Sequence, residues 1–440
     1  MTNKRVHLET WGCQMNVHQS EGIAGVLERS GYEMTDSLDD ADIVLFNTCA
    51  VRQKAEEKVY GRIGAVMERK RDRNVILGFG GCIAQIRGRS LLDRFPAIDF
   101  VFGTGDKVAL PEVLHAVASQ GERIAHLPEP SDTQEIPYRR AGGITAMVTI
   151  AEGCSNACAY CIVPRARGAL RSRAPHLILD EVAERIEAGT REVLLLGQNV
   201  DSYGRDHPEY GDFADLLDRL AVTGIDRIRF TSSHPRDMTQ RVIDAIARHG
   251  NICKHLHLAC QSGSDAVLRA MRRGHTRGEF LEIVQAARRR VPELNVTTDF
   301  IVGHPGEQDE DFEGTLDLLE TVRFGSVYVA AFSPRPGTAS ASFPDRVPEA
   351  VAQERLRTIL ERQREIAEEE NRRFIGGTVE VLVEGPTRDG RNYGRADDHR
   401  TVVLEGGEGL GAIVPVRIER ATAASLEGTA AVPAMLKGAT

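Results

Sequence analysis

Apolar and polar positions over the first hundred residues repeat one theme: a short apolar run, a tight turn, then a stretch with helical spacing. Val6-His-Leu-Glu-Thr-Trp11 leads into Gly12-Cys13, Ala41-Asp-Ile-Val-Leu-Phe46 into Asn47-Thr48-Cys49, and Val75-Ile-Leu-Gly-Phe79 into Gly80-Gly81-Cys82. Helix-like segments, Gln19 to Ser30 and Arg52 to Arg71, lie between them. Strands alternating with helices predict a parallel, doubly wound α/β sheet. In such a sheet the carboxyl ends of the strands share the edge where ligands bind. Three strands therefore deliver one cysteine each to one edge.

Ser119 to Gly143, with Pro128, Pro130 and Pro137 among charges, reads as a linker. Strand candidates then recur at Met147 to Ala151, Glu192 to Leu196, Arg227 to Thr231, His255 to Ala259, Val296 to Val302 and Val327 to Phe332. Helical patterns separate them: Leu177 to Ala188, Phe213 to Ala221, Arg241 to Arg248, Gly278 to Arg290 and Glu310 to Val322. Six such units predict an incomplete parallel (β/α)6 barrel with its chemistry on the loops after the strands. Those loops hold Cys154 to Cys161, Gln198-Asn199, Ser232-Ser233-His234, Gln261-Ser262 and Gly303-His304-Pro305-Gly306-Glu307. Pro348 to Phe374 mixes Glu and Arg and reads as a solvated helical spacer. Beyond Gly376, short β-type runs (Thr378 to Glu384, Thr401 to Glu405, Ala412 to Glu419) between Gly- and Asp-rich turns predict a small antiparallel β-barrel, OB-like. Tyr393, Arg388, Arg391, Arg395 and Arg400 are its candidate RNA-facing patch, and Ala430 to Thr440 reads as a weakly structured tail. The expected divisions are 1–118, a linker 119–143, 144–374, and 375–440.

Composition changes this picture little. A chain of 440 residues, 41% hydrophobic, accommodates roughly two to four domains. The net charge of −9 does not advertise a nucleic-acid binder, so local clusters count for more. Arg165, Arg167, Arg171 and Arg173 follow the Cys154 to Cys161 run, and Arg269, Arg272, Arg273 and Arg277 form a second group. Either group reads as solvated surface or as a phosphate-contacting face. The start lacks an apolar signal core and no later stretch is long enough to span a bilayer, so a cytoplasmic location without membrane contact is expected. Eight cysteines in such a chain point to metal or redox chemistry before disulfides.

The densest chemistry is Cys154-Ser-Asn-Ala-Cys158-Ala-Tyr160-Cys161. Three thiolates this close suit three corners of a four-iron, four-sulfur cube, leaving one iron without a protein ligand. An open iron chelates a small molecule, and the best-known partner of a three-cysteine loop is S-adenosylmethionine. The alternatives are a structural zinc site, for which no fourth ligand lies nearby, or three unrelated core cysteines. Cys13, Cys49 and Cys82, each just past a strand end beside Gly or Asn, suggest a second metal site, with ordinary burial as the alternative. Gly78-Phe-Gly-Gly81 lacks the full glycine pattern of a dinucleotide fingerprint.

Gly12-Cys-Gln-Met-Asn16, Gly153-Cys154, Cys161-Ile-Val-Pro164, Leu196-Gly-Gln-Asn-Val-Asp-Ser-Tyr203, Ser232-Ser-His-Pro235 and Gln261-Ser-Gly-Ser264 together resemble the radical-SAM methylthiotransferases. The likeness runs from Lys4 to about Glu427 and is greatest to the branch acting on N6-isopentenyladenosine beside the tRNA anticodon. It implies an amino-terminal cluster domain, a radical-SAM barrel and a carboxyl-terminal TRAM domain. It further implies a radical [4Fe-4S] cluster on Cys154, Cys158 and Cys161, and an auxiliary [4Fe-4S] cluster on Cys13, Cys49 and Cys82. Tyr160 would meet the adenine of S-adenosylmethionine through its backbone, with Gly197, Gln198, Gln261, Ile301 and Gly303 contacting the rest of that cofactor. Two molecules of S-adenosylmethionine serve each product, one donating a methyl group to sulfur and one cleaved to a radical that takes hydrogen from C2 of the adenine ring. The implied partners are tRNA and an electron donor such as flavodoxin or ferredoxin, acting on a monomer. Sister branches modify threonylcarbamoyladenosine in tRNA or an aspartate of a ribosomal protein; a different class would be a non-catalytic iron–sulfur protein that binds or senses RNA. Three departures stand at Cys260, His304 and Arg165-Ala166, expected to line the barrel mouth as neutral changes that remove no ligand.

Overall fold

The computed structural model describes residues 4–50, 53–129, 138, 143–406 and 409–431. Its first layer is a six-stranded parallel sheet of β1 (Arg5–Trp11), β2 (Glu33–Met34), β3 (Ile43–Thr48), β4 (Ile76–Gly81), β5 (Phe100–Phe102) and β6 (Ile124–His126), in the order β2-β1-β3-β4-β5-β6. Every residue of β3 and β4 is buried, as a sheet covered by helices on both faces requires. Trp11 pairs with Thr48 and Thr48 with Gly81, so β1, β3 and β4 end level. Gly80 admits the neighbouring strand: a Cβ there would lie 2.0 Å from the Phe102 ring. Part of the expected linker is itself structured, since β6 closes the sheet; Pro130 and Pro137 lie outside the described residues.

The second layer holds the six expected barrel strands, β7 (Thr145–Thr149), β10 (Glu192–Leu196), β11 (Arg227–Phe230), β12 (His255–His257), β13 (Asn295–Val302) and β14 (Ser326–Ala331), with a two-residue hairpin of β8 (Ala151–Glu152) and β9 (Arg171–Ser172) between β7 and β10. They form two parallel three-stranded sheets, β11-β10-β7 and β12-β13-β14, joined by parallel bridges at Ile228–Ile252 and Ser233–Leu258. Val193, Leu195, Ile228, Phe230, Phe300 and Phe324 fill the shared core. The helix Glu349–Arg372 is no solvated spacer. It buries Ala352, Ile359 and Ile366, an apolar stripe at seven-residue spacing hidden among its charges, and Gln363 Nε2 donates to Phe324 O at 2.8 Å.

The third layer is a closed five-stranded barrel of β15 (Thr378–Pro386), β16 (Asn392–Ala396), β17 (Thr401–Glu405), β18 (Ile413–Ala421) and β19 (Leu426–Ala430). All its pairings are antiparallel except β17 with β19, which is parallel. β16 and β19 lacked a strand pattern because they carry few large apolar residues. Gly394 in β16 lies so close to β15 that a Cβ would meet Leu382 O at 2.0 Å. The expected tail is a strand as far as Ala430, and 432–440 lie outside the described residues.

This small barrel sits at the floor of the larger one. Arg227, Glu192, His255 and Asn295 are the first residues of β11, β10, β12 and β13, at the end opposite the cysteine loop. Arg227 donates to Arg395 O and Glu380 O at 2.7 and 3.0 Å. Arg229 donates to Asp397 O and Ala396 O at 3.0 and 2.7 Å, and to Glu192 Oε2 at 2.7 Å. Three arginines of the patch assigned to RNA also make ion pairs within the chain. Arg395 pairs with Glu384, Arg391 with Asp389 and Glu427, and Arg400 with Asp398 while lying over Phe374.

The Arg229 and Glu192 side chains are 2% and 1% exposed. Removing one member of a buried pair strands the other charge. Arg229→Leu is therefore expected to destabilise the protein by about 3–5 kcal/mol in urea unfolding, and a loss below about 1 kcal/mol would show the pair to be solvated.

Candidate functional site

Cys13 is the N-cap of helix α1 (Gln14–Arg29), directly after β1; Cys49 follows β3; Cys82 begins α3, with α2 (Gln53–Asp72) and α3 (Cys82–Arg87) numbered in turn. The three turns are stitched together by amides. Asn16 Nδ2 donates to Thr48 O at 3.1 Å, Asn47 Nδ2 to Asn16 O at 2.9 Å, and Thr48 Oγ1 to Gly80 O at 2.6 Å. A Cβ at Gly12 would fall 2.5 Å from Cys49 Cβ, and Gly81 has φ +87° with Thr48 O in the way, so both glycines serve the convergence. Cys13 is exposed while Cys49 and Cys82 are buried. A hydrogen bond from Cys49 brings the Cys13 thiol down to about 5; burial opposes this and the Arg167 charge adds to it.

The second triad lies in the loop after β8. Gly153 has φ +78° and no room for a Cβ against Ala169 O, and its N–H donates to Gln198 Oε1 at 2.5 Å. Cys154 N donates to Gly168 O at 3.1 Å, Ala159 N to Met271 O at 2.8 Å and Leu170 N to Ser155 Oγ at 3.1 Å. Asn156 Nδ2 reaches Asp237 Oδ2 at 3.3 Å, and Asp237 also accepts from Asn199 at 2.5 Å and Arg205 at 2.7 Å. Asp237 thus pins the loop to the barrel. Buried Arg273 donates to Cys158 Sγ at 3.6 Å and also to Ala259 O. Burial pushes the Cys161 thiol up to about 12 and raises Cys154 as well. A cavity of about 480 Å³ opens here, lined by the three cysteines with Arg165, Arg272 and Thr338. Among the described residues no three Cys, His, Asp or Glu side chains converge tightly enough for a single metal ion. A cube spreads its thiolates over separate corners and does not call for such convergence.

The residues expected to meet S-adenosylmethionine all lie at this end. Tyr160 is part-buried with its hydroxyl raised by burial. Gly197 and Gln198 follow β10 against the loop. Gln261, at φ +82°, bonds by its backbone to Asp299 and Ile301 of β13. Gly303 N, just beyond Ile301, donates to Glu307 Oε1 at 2.9 Å, and Glu307 pairs with Arg355 at 2.6 Å. Asp237 escaped the sequence reading, although it lies two residues past Ser232-Ser-His-Pro235, which was the available signal; Asn199 and Arg273 were singled out there only as a loop residue and a member of a basic group, without these partners.

The arginine groups divide differently from expectation. Arg167 is buried, Arg173 pairs with Glu181 at 2.7 Å, and Arg171 lies 3.8 Å from Glu152, so these three face the interior. Arg165 and Arg272 alone of the two groups line the cavity. Of the departures, Cys260 is buried with its thiol pushed up to about 12, and His304 is buried with Nε2 2.8 Å from Ser340 Oγ and Phe332 and Phe343 around it. Both are packing positions and not mouth residues.

The two triads are locked to each other. His18 Nδ1 shares a hydrogen bond with Thr149 Oγ1 at 2.7 Å, and His18 Nε2 lies 3.3 Å from Glu181 Oε1. Tyr138 stacks on His18 at 4.1 Å, and Arg185 pairs with Glu21 at 3.1 Å. The helix Val163–Arg167, immediately after Cys161, sends Ala166 into the same core as Cys82 and Phe79.

The chain matches the Radical SAM superfamily over residues 148–319, the Uncharacterized protein family UPF0004 over 5–103 and the TRAM domain over 372–431. It is 43% identical over 437 residues to the tRNA-2-methylthio-N(6)-dimethylallyladenosine synthase of Carboxydothermus hydrogenoformans, covering 97% of this chain and 99% of the relative. Against the enzyme of that name from Geobacter metallireducens it is 44% identical over 436 residues, covering 98% and 99%. Among solved structures, the radical S-adenosylmethionine methyltransferase TsrM from Kitasatospora setae aligns with TM-score 0.60 at 14% identity, over 78% of this chain and 74% of that one. The cobalamin-dependent enzyme OxsB aligns with TM-score 0.55 at 12% identity, over 82% and 56%. These last two likenesses show the fold alone.

In metal-free protein the two triads should differ in reactivity, because the thiolate is the nucleophile. Iodoacetamide across a pH series from acid to neutral, read by peptide mass spectrometry, is expected to label Cys13 first, with a rate that rises through about pH 5, and to spare Cys161. Equal labelling of the two would contradict the environments described.

Proposed function

The chain belongs to the radical-SAM methylthiotransferases, as a relative of the tRNA-2-methylthio-N(6)-dimethylallyladenosine synthases along nearly its whole length, and from that membership we infer how its residues divide the work. It is an enzyme that adds a methylthio group to C2 of N6-isopentenyladenosine in tRNA, the dimethylallyl and isopentenyl names denoting one substituent, and it uses two [4Fe-4S] clusters and S-adenosylmethionine. In our reading, Cys154, Cys158 and Cys161 hold the radical cluster and Cys13, Cys49 and Cys82 the auxiliary one. Both donor sets fit: each offers three thiols and each has a buried guanidinium acting on it, Arg273 in one case and Arg167 in the other. When bound, these groups would supply a carbon-centred radical and a site at which the sulfur to be transferred is presented, and radical generation is chemistry that acid–base side chains do not provide.

The chain's own contribution is placement. Asp237 and Gln198 fix the radical loop, Tyr160 and Gln261 border the S-adenosylmethionine position with Gly197, Ile301 and Gly303, and the His18 seam sets the two triads against each other. The observation carrying this reading is that seam, which ties the helix that Cys13 caps to the strand leading toward the Cys154 loop. Arg165 and Arg272 at the cavity take phosphates of the anticodon loop, whose target base leaves the stack to enter. We assign residues 1–118 to the auxiliary cluster, 144–374 to the radical chemistry and 375–440 to RNA binding. No helix among the described residues is long and apolar enough to cross a membrane. The proposal includes a cytoplasmic, monomeric enzyme reduced by a flavodoxin or ferredoxin.

Mass spectrometry of nucleosides from cells lacking the protein is expected to show 2-methylthio-N6-isopentenyladenosine lost and the unthiolated base accumulated. Complementation with Cys158→Ala should restore nothing and yield no 5′-deoxyadenosine in vitro. Cys49→Ala should still cleave S-adenosylmethionine yet leave the base unthiolated; product from Cys49→Ala would refute the auxiliary assignment.

A further inference from the structure

The strand period divides the side chains of the large barrel into two sets. Val193, Leu195, Val296, Phe300 and Val302 pack against the helices, so the residues alternating with them face the lumen. On β13 these are Thr297, Asp299 and Ile301. Asp299 stands two residues before Ile301, about 7 Å deeper in the lumen than the position expected for S-adenosylmethionine.

A chain of hydrogen bonds orients its carboxylate. His257 Nε2 lies 3.1 Å from Asp299 Oδ2, His257 Nδ1 lies 3.0 Å from Thr297 Oγ1, and His255 Nε2 lies 2.9 Å from that hydroxyl. A carboxylate only accepts, so His257 Nε2 donates to it, Nδ1 accepts from Thr297, and Thr297 accepts from His255. Among the described residues Oδ1 accepts no hydrogen bond, and the Asp299 side chain is 37% exposed. Its charge is felt by the Tyr160 hydroxyl of the radical loop. Tyr328 is the register partner of Asp299 on β14, its ring half exposed and edge-on to His257 at 5.7 Å. Register partners share a face of the sheet, so an open aromatic surface lies beside an open acceptor.

The other half of the barrel is apolar. Met147 of β7 and Leu194 and Leu196 of β10 face the same lumen and pack with Met15, two residues beyond Cys13. A ligand meeting both walls needs a flat ring, an N–H donor and an apolar flank. An adenine alkylated at N6 has all three.

We propose that Asp299 is a specificity residue that accepts the N6–H of the target base in tRNA, with Tyr328 stacked on the ring and the substituent turned toward Met147 and Leu194. This rests on the reading of N6-isopentenyladenosine as the substrate. N6 and C2 belong to one six-membered ring, so holding N6–H fixes where C2 points. An apolar wall alone has no direction and would leave the ring free to rotate.

The test uses the reconstituted holoenzyme and two anticodon stem-loops, one carrying N6-isopentenyladenosine and one the O6-isopentenyl ether of inosine, in which oxygen replaces the N–H. Wild type is expected to favour the first by roughly tenfold or more in kcat/KM, because the ether sets an acceptor against a carboxylate. Asp299→Asn, which can donate to the ether, and Asp299→Ser, which both donates and accepts, should each cut that preference roughly tenfold. Tyr328→Leu should raise KM for both RNAs by about fivefold and keep the preference. Equal use of the two RNAs by wild type, or a preference kept in both Asp299 variants, would overturn the proposal. A raised KM for S-adenosylmethionine with the RNA preference kept would overturn it too, by moving Asp299 to the cofactor. An unchanged KM in Tyr328→Leu would overturn the stacking. Lack of product from wild type on the isopentenyladenosine RNA would instead refute the substrate reading itself.

Discussion

The buried contact of His18 with Thr149 and Glu181 is the constraint on which the rest depends. It joins the first helix of the amino-terminal sheet to the first strand and first long helix of the barrel, and every group in it is nearly inaccessible to water. An apolar interface tolerates small slides, because its energy follows area and not direction. A polar one does not: each donor displaced from its acceptor becomes an unsatisfied buried group. The seam therefore fixes a single register between two domains, and two sets of thiols inherit that register.

Backbone close to thiols is the second theme. Gly12, Gly81 and Gly153 each precede a cysteine, and each stands where a side chain would collide with another turn or with main chain. The chain approaches itself there so tightly that the thiols are set by backbone geometry and not by side-chain rotamers. Around them lie guanidinium groups that burial would ordinarily disfavour. Arg167 stays charged because Cys82, Glu152, Cys13 and Cys49 stabilise the cation more than desolvation penalises it, and Arg273 because Tyr160, Cys158 and Cys260 do.

Much of this was legible along the chain. Strand period, helix period and the cysteines at strand ends are local patterns, and the six cysteines together with the doubly wound sheet and the incomplete barrel follow from them. What stayed hidden depends on partners far away in sequence. Arg167, Arg171 and Arg173 read as one basic patch because nothing local marks Gln19, Glu152 or Glu181 as their partners. The stripe Ala352, Ile359, Ile366 is drowned by Glu and Arg in a linear reading, and only the barrel wall behind it reveals the helix as a brace. β16 and β19 hold their places through backbone pairing inside a closed barrel, which side-chain pattern does not record.

The floor of the large barrel carries a lesson about modularity. Three family descriptions divide the chain into three pieces, yet the carbonyls of Glu380, Arg395, Ala396 and Asp397 are the acceptors for Arg227 and Arg229. Cutting the chain before residue 375 would strip two interior guanidinium groups of those acceptors, so a shortened protein would report a damaged barrel along with any lost affinity for RNA. Units that evolution shuffles as separate cassettes are here mortared together by main-chain oxygen, and the seam between them is a load-sharing joint.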